Sequence, residues 1–200
     1  QGYSSAASDV YKRQVSKVLV PGNISYVKWD MNRHLTDLGS AYLDRKNQNE
    51  LSHRYVLGLY QVMETLTERF PQVLFESCSS GGGRFDAGML YYMPQTWTSD
   101  NTDAVCRLKI QHGTSFLFPT VTMGAHVSAC PNHQVGRTTP LATRFAVAAA
   151  GNLGYELDLK KLLKEEKKEV REQIAEYKRR RRTVPVSYTH LRAHETRHDL

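Results

Sequence analysis

Lys28-Trp29-Asp30-Met31-Asn32-Arg33 closes an apolar, β-branched run, Ile24-Ser25-Tyr26-Val27, and opens onto the polar stretch His34-Leu35-Thr36-Asp37-Leu38-Gly39. An ammonium, an indole, a carboxylate and an amide therefore leave one strand end together. Sites built at the C-terminal edge of a parallel sheet have this form. A second polar cluster, Trp97-Thr98-Ser99-Asp100-Asn101-Thr102-Asp103, stands further along the chain. Between the two lies Phe75-Glu76-Ser77-Cys78-Ser79-Ser80-Gly81-Gly82-Gly83-Arg84.

Outward from the first stretch, strand and helix signals alternate. Residues 24–29 read as a strand buried on both faces, because they are nearly all apolar. Residues 34–50 are polar and loop-like, with one short helix. Tyr55, Leu59, Val62, Met63, Leu66 and Phe70 recur at helical spacing, which predicts an amphipathic helix over 53–70 stopped by Pro71. Residues 73–76 form the next strand and 95–98 another. Asn101, Thr102 and Asp103 are capping residues for a helix over 102–115. Residues 116–118 and 120–123 are extended, and a loop follows. Pro140 starts a helix over 141–150, and a last strand covers 155–159 after Gly151 and Gly154. This alternation, with Pro or Gly at the junctions, is a βα repeat and implies a mostly parallel sheet with helices outside. Units of about 25–35 residues, with polar clusters after several strands, favour part of an eight-stranded barrel. A doubly wound sheet would gather its ligand at one switch point.

Nearly all of the net charge of +7 sits in one region. Residues 15–159 carry 12 Lys+Arg against 12 Asp+Glu, whereas residues 160–182 carry 11 against 5. The excess sits on a C-terminal helix that ends in Arg179-Arg180-Arg181-Arg182, where cations favour the helix dipole. A solvated helix end is the reading. No aromatic interleaving or base-reading motif points to a nucleic-acid partner. No run approaches the roughly 18 apolar residues of a membrane span, and no signal peptide is visible. Cys78, Cys106 and Cys130 are odd in number with no close pair, which favours a reducing, cytoplasmic compartment over a disulfide framework.

Residues 1–14 and 184–200 differ in style from the rest. The tail has no helical or strand period and holds three of the eight histidines. Both ends resemble translated sequencing-adapter DNA, so they are read as non-native or disordered, and no metal is assigned to the tail. The native part expected is 15–183, a fragment lacking its true start.

Asp30 and Asp100 each follow an apolar or aromatic strand end. On a barrel rim they would face one another. Carboxylates about 5–5.5 Å apart perform retaining glycoside hydrolysis, and a gap of about 6.5–9.5 Å inverts. Asp30 would be the nucleophile, kept ionised by Lys28. Asp100 would be the acid/base, with Trp97 as an apolar wall. The alternative is that each aspartate caps the next helix. Asp37, Asp86 and Asp103 are equally available by composition. The Ser79-Ser80-Gly81-Gly82-Gly83-Arg84 loop fits no phosphate-binding pattern, whereas Gly there lets a backbone approach a sugar. Cys78 has no His near in sequence to activate it and reads as a small wall residue. His112, His126 and His133 lack paired-ligand spacing and read as structural. Trp29 and Trp97 suit either sugar stacking or core packing.

The three motifs, in this order and at these separations, resemble the α-galactosidases of glycoside hydrolase family 36. The resemblance covers residues 15–183. It implies a (β/α)₈ barrel, of which the chain holds about strands four to eight, and a retaining double displacement on terminal α-galactose of raffinose- or melibiose-type oligosaccharides. Asp30 maps to the family nucleophile and Asp100 to its acid/base. Lys28, Trp29, Asn32, Cys78 and Gly81 map to the sugar pocket. Neither metal nor cofactor is implied, and the parent is expected to be a homo-oligomer. Three alternatives stay open: a fragment inactive on its own, a raffinose-synthase-like galactosyl transferase, and an α-N-acetylgalactosaminidase relative. The motif residues do not separate them.

Overall fold

The computed structural model describes residues 2–32, 36 and 38–181, with the side chains of 2–8 left aside. It divides into two compact units, Gln1–Pro94 and Gln95–Leu200. The tail at 184–200 lies outside the described residues.

In the first unit, helix α1 (Gly2–Leu19) precedes strand β1 (Tyr26–Asp30). A short 3-10 turn at Arg45–Glu50 then leads into α2 (Leu51–Arg69), β2 (Leu74–Cys78) and α3 (Ala87–Tyr92). The helix α1 runs through the boundary at residue 14 without a break. Strands β1 and β2 are parallel, with Lys28 opposite Glu76 and Asp30 opposite Cys78. The α2 periodicity does what its spacing requires. Val62, Met63 and Leu66 are buried, and with Leu19, Phe70, Val73, Phe75, Met89 and Met93 they form the core. Phe70 ends the helix and Pro71 follows it.

The second unit holds β3 (Gln95–Trp97), α4 (Ala104–Thr114), β4 (Met123–Ser128), α5 (Leu141–Ala148), β5 (Asn152–Glu156) and α6 (Lys164–Arg180). Strand β4 pairs in parallel with both β3 and β5. Ala125, Val127, Leu141, Ala148 and Val170 form its core. Helix α6 docks through Tyr155, whose hydroxyl donates to Gln173 Oε1 at 2.8 Å, and through its own Tyr177, which donates to the Gly151 carbonyl at 2.9 Å. At its basic end, Glu176 pairs with both Arg179 and Arg180.

Five strands are thus present among the described residues, paired in parallel within each unit and each followed by a helix. Within each unit, neighbours in sequence are neighbours in the sheet. A doubly wound order needs a reversal, and neither unit shows one. The fold is α/β and consistent with part of a (β/α)₈ barrel.

Three expectations are corrected. Strand β1 is not buried on both faces: exposed and half-buried residues alternate along it, and Tyr26 is 44% exposed. Val27 and Trp29 pack on the first core, while Tyr26, Lys28 and Asp30 share the opposite face, as the two-residue period demands. The extended stretch expected at 116–118 and 120–123 is a turn and bend over 115–118 and a 3-10 turn over Thr120–Thr122, and the strand comes after them, at Met123–Ser128. Strand β5 starts at Asn152 rather than Tyr155, so Gly154 lies inside it. A Cβ on Gly154 would sit 2.5 Å from His126 Cδ2 on the adjacent strand. This glycine admits a neighbouring side chain rather than breaking the strand.

Leu66 is fully buried at the centre of the first core. Leu66→Ala is expected to destabilise the chain by about 2–5 kcal/mol, read as a lowered midpoint in urea unfolding followed by circular dichroism.

Candidate active site

The parallel register brings the ends of β1 and β2 side by side, and Asp30 ends β1. The Asn32 side-chain amide donates to Asp30 Oδ2 at 2.9 Å. Burial alone would raise the Asp30 carboxyl. The Asn32 amide, the Cys78 thiol, the Lys28 ammonium and the Met31 backbone amide together outweigh burial and hold it below its ordinary value. Three of these four groups are side chains, so the lowered state depends on the residues gathered at this site. The Cys78 thiol is pushed up, chiefly by burial, with the Asp30 carboxylate adding to the effect. It therefore stays protonated at neutral pH and serves as a hydrogen-bond donor rather than a nucleophile. Lys28 lies two residues behind Asp30 on the same face. Its Nζ is 4.0 Å from Oε1 of Glu76, a carboxylate that is fully buried on β2.

The glycine-rich loop after β2 closes over this strand end. Ser79 Oγ donates to the Met31 carbonyl at 2.6 Å, and the Ser80 amide donates to Asn32 Oδ1 at 2.9 Å. Asn32 is thus held at one end by Ser80 while its other end holds Asp30. Ser80 adopts φ 46° and Gly81 φ 87°, and the Gly81 carbonyl accepts from the Ser79 amide at 2.9 Å. Left-handed backbone is rare for serine, so the loop pays a local strain to aim the Ser80 amide at Asn32. Arg84 Nη2 donates to the Trp29 carbonyl at 3.0 Å and to the Cys78 carbonyl at 2.7 Å, and so ties the two strands together. A cavity of about 450 Å³ opens beside Asp30, lined by Trp29, Met31, Arg54, Tyr55 and Arg84 among others. Its walls come from the Trp29 side, with Tyr11 of α1 and Leu59 and Val62 of α2, and it is reached by Asp30 but not by Lys28, Asn32, Cys78 or Gly81.

Lys28, Asp30, Asn32, Cys78 and Gly81 are therefore gathered at one strand end. Trp29 is turned to the other face. Its ring lies 6.5 Å from Phe75 and 5.5 Å from Tyr11, the core-packing arrangement.

Asp100 lies in the second unit, in the turn between β3 and α4. It is exposed. It caps no helix, and neither does Asp30: Asp86 caps α3 by accepting from the Met89 amide, and Asp103 caps α4 by accepting from the Cys106 amide at 2.9 Å. Asp103 is 1% exposed and paired with Arg137. Burial would raise its carboxyl. The Cys106 amide and thiol, Arg137 and the Val105 amide reverse that and leave it lowered. The two aspartates of Asp100-Asn101-Thr102-Asp103 thus have separate duties, which spacing alone did not assign.

Trp97 is buried between an arginine and a histidine. The Arg107 guanidinium sits 4.6 Å from its ring centre, and the His126 imidazole stacks at 4.4 Å. His126 Nδ1 is 3.2 Å from Glu156 Oε2. Arg107, Gln134 and Arg137, which organise this turn, escaped the sequence reading. Each acts across a long sequence separation, and no local pattern marks it.

Residues 3–187 match the melibiase family. The chain belongs to that family. It is 64% identical over 170 residues to the α-galactosidase AgaA of Geobacillus stearothermophilus and 57% identical over 165 residues to α-galactosidase 1 of Pediococcus pentosaceus. These alignments cover 85% and 82% of this chain but only 23% and 22% of the relatives. The chain thus spans about a quarter of the length of the relatives it matches. The crystal structure of AgaA, described as a glycoside hydrolase family 36 α-galactosidase, superposes with a TM-score of 0.86 over 89% of this chain and 25% of its own. Variants of AgaA have been solved with raffinose and with stachyose. The family reached from three motifs is the one that these comparisons find.

The different duties of Asp100 and Asp103 are separable by stability. Asp103→Ala removes a buried cap and ion-pair partner and is expected to cost about 1–2 kcal/mol at neutral pH. Asp100→Ala is expected to stay within about 0.5 kcal/mol of the parent. Because the Asp103 carboxyl is lowered on folding, its contribution is complete above the ordinary carboxylate value of about 4 and fades as the pH falls through the lowered one. The gap between parent and Asp103→Ala in urea midpoints should therefore close in acid.

Proposed function

We propose that the protein to which this chain contributes is a retaining α-galactosidase that removes terminal α-galactose from raffinose-type oligosaccharides. The observation that carries the reading is the Asp30 carboxylate at the end of β1, held ionised by Asn32, Cys78 and Lys28. Family membership and the sugars bound by AgaA support the substrate class. In this reading the five strands are strands four to eight of the barrel.

Asp30 attacks the anomeric carbon while Asp100, protonated, gives its proton to the departing glycosidic oxygen. A galactosyl ester on Asp30 forms as the glycosidic bond breaks. Asp100, now a carboxylate, takes a proton from water as that water attacks the same carbon. The ester breaks, Asp30 is regenerated, and two inversions leave net retention. Lys28, Asn32 and the Gly81 backbone supply donors to the sugar hydroxyls, Cys78 lines the pocket, and Asn32, Lys28 and the Cys78 thiol keep the Asp30 charge in place.

The test uses full-length AgaA carrying residues 15–181 of this chain in place of its aligned segment. Hydrolysis of p-nitrophenyl α-galactoside, with a preference over the α-glucoside, is the expected result. Asp30→Ala should lower kcat by on the order of 10⁴ or more. Turnover retained in Asp30→Ala, or no preference for the galactoside, would overturn the assignment. The same assay on the 200-residue chain alone shows whether this segment is sufficient.

A further inference from the structure

The turn that carries Asp100 is held by its main chain. The Gln134 side-chain amide donates from Nε2 to the Asp100 carbonyl at 2.7 Å, and its Oε1 accepts from the Thr102 amide at 2.9 Å. One primary amide thus spans the two peptide groups that flank Asn101. It fixes the direction in which the Asp100 Cα–Cβ bond leaves the backbone. An amide is the side-chain group that presents one donor side and one acceptor side in a plane, as this bridge requires.

Gln134 is itself fixed. Asn132, 5% exposed, accepts from the Gln134 amide at 3.0 Å and from the Val135 amide at 3.1 Å through Oδ1. Its Nδ2 donates to Thr102 Oγ1 at 2.9 Å. The turn closes through the Gly136 amide, which donates to the Asn132 carbonyl at 2.8 Å, with Gly136 at φ 68°. Arg137 reaches Asp103, and Ser128 Oγ donates to the Thr102 carbonyl at 2.8 Å. Residues 132–137 therefore form a pre-organised bracket on residues 100–103. Asn132, Arg137 and Ser128 hold Thr102 and Asp103. Gln134 alone in the bracket reaches Asp100.

We propose that Gln134 is a positioning residue for the acid/base, bridging the Asp100 carbonyl and the Thr102 amide so that the exposed Asp100 carboxyl meets the leaving oxygen. This rests on the reading of Asp100 as the acid/base. Gln134 touches no reacting atom, so its loss should act on proton delivery and not on sugar binding. A displaced acid matters most when the leaving group needs its proton. Poor leaving groups suffer and good ones do not.

The experiment compares Gln134→Met, Gln134→Glu and Asp100→Ala in the full-length AgaA graft described above. The substrates are methyl α-galactoside, which needs the proton, and 2,4-dinitrophenyl α-galactoside, which does not, with the first chemical step read in single turnover. Gln134→Met keeps the length and removes both hydrogen bonds. It should slow methyl α-galactoside cleavage about 10- to 100-fold with KM little changed, and leave the dinitrophenyl substrate within about threefold. Gln134→Glu keeps the acceptor for Thr102 but sets an oxygen against the Asp100 carbonyl. It should therefore fail to rescue the rate, whereas a merely polar surface role would be rescued. Hydrogen exchange over residues 99–103 should rise in Gln134→Met. Equal losses on both substrates, or full activity in either variant, overturn the proposal. If Asp100→Ala shows the leaving-group signature and Gln134→Met does not, the proposal fails alone. If Asp100→Ala lacks the signature, the acid/base reading falls and takes the proposal with it.

Discussion

Guanidinium groups at the ends of parallel strands carry this structure. A backbone carbonyl has two lone pairs, and near a strand end the second is left for a side chain to satisfy. Arg84 takes up the Trp29 and Cys78 carbonyls with a single nitrogen. In the second unit Arg107 joins the Ser99 carbonyl, just past β3, to the Gly124 carbonyl near the start of β4, and Arg144 joins the Ser128 carbonyl, at the end of β4, to that of Thr139 in the loop before α5. Arg107 and Arg144 are almost fully buried. Burial lowers Arg107 to about 10, which still leaves it a cation at neutral pH. Carbonyl dipoles, and for Arg107 the face of Trp97, substitute for the water it gave up. At Arg107 and Arg144 a lysine would offer a point charge without the planar fork whose two nitrogens reach separate carbonyls. The proposed catalytic groups leave the chain immediately beside these straps, at Asp30 after Trp29 and at Asp100 after Ser99, so their backbones start from fixed points.

From those fixed points the two aspartates are treated in opposite ways. Donors converge on the carboxylate of Asp30: the Asn32 amide, the Cys78 thiol and the Lys28 charge. Around Asp100 the donor and acceptor go to the main chain, through Gln134, and the carboxylate is left exposed. A nucleophile that stays ionised gains from donors on its oxygens. A group that must give up and regain a proton would be hindered by them, so its geometry has to be held from behind. The division of labour assigned to the two residues therefore matches where the structure places its hydrogen bonds.

The parts of this arrangement that were legible in the sequence are those written in short range. The period of α2 and its stop at Pro71 gave the first core, and the Lys28-Trp29-Asp30 and Ser99-Asp100-Asn101 motifs gave the strand ends. Strand β4 was placed a few residues early because Gly124, Ala125, His126 and Ser128 have weak strand preference. Their extended form comes from pairing with two neighbours and from Arg107 bonding the Gly124 carbonyl. Gly154 was read as punctuation because the close His126 ring that requires it lies on another strand. The cap on α4 is Asp103, one of the capping residues read from the sequence, and it directly precedes the first helical residue, which Asp100 does not. Gln134 could not be singled out, because a glutamine in a loop carries no periodicity and its partners lie more than thirty residues away.

The exposed face of β1 shows how tightly electrostatics and binding are joined here. Lys28 stands between two carboxylates: Glu76, opposite it in register and fully buried, and Asp30, two residues on along the same face. A buried carboxylate cannot do without compensation, and the half-exposed ammonium above it supplies part of that compensation. The same ammonium lowers Asp30. A lysine donating to a sugar hydroxyl from this position would keep its charge between the two carboxylates, and a sugar that covered the site would strip water from all three groups. The attraction within the trio would then strengthen as the surrounding dielectric falls. The same loss of water would by itself raise the Asp30 carboxyl, so the Lys28 charge and the Asn32 and Cys78 donors are the groups that must hold it ionised in a closed pocket.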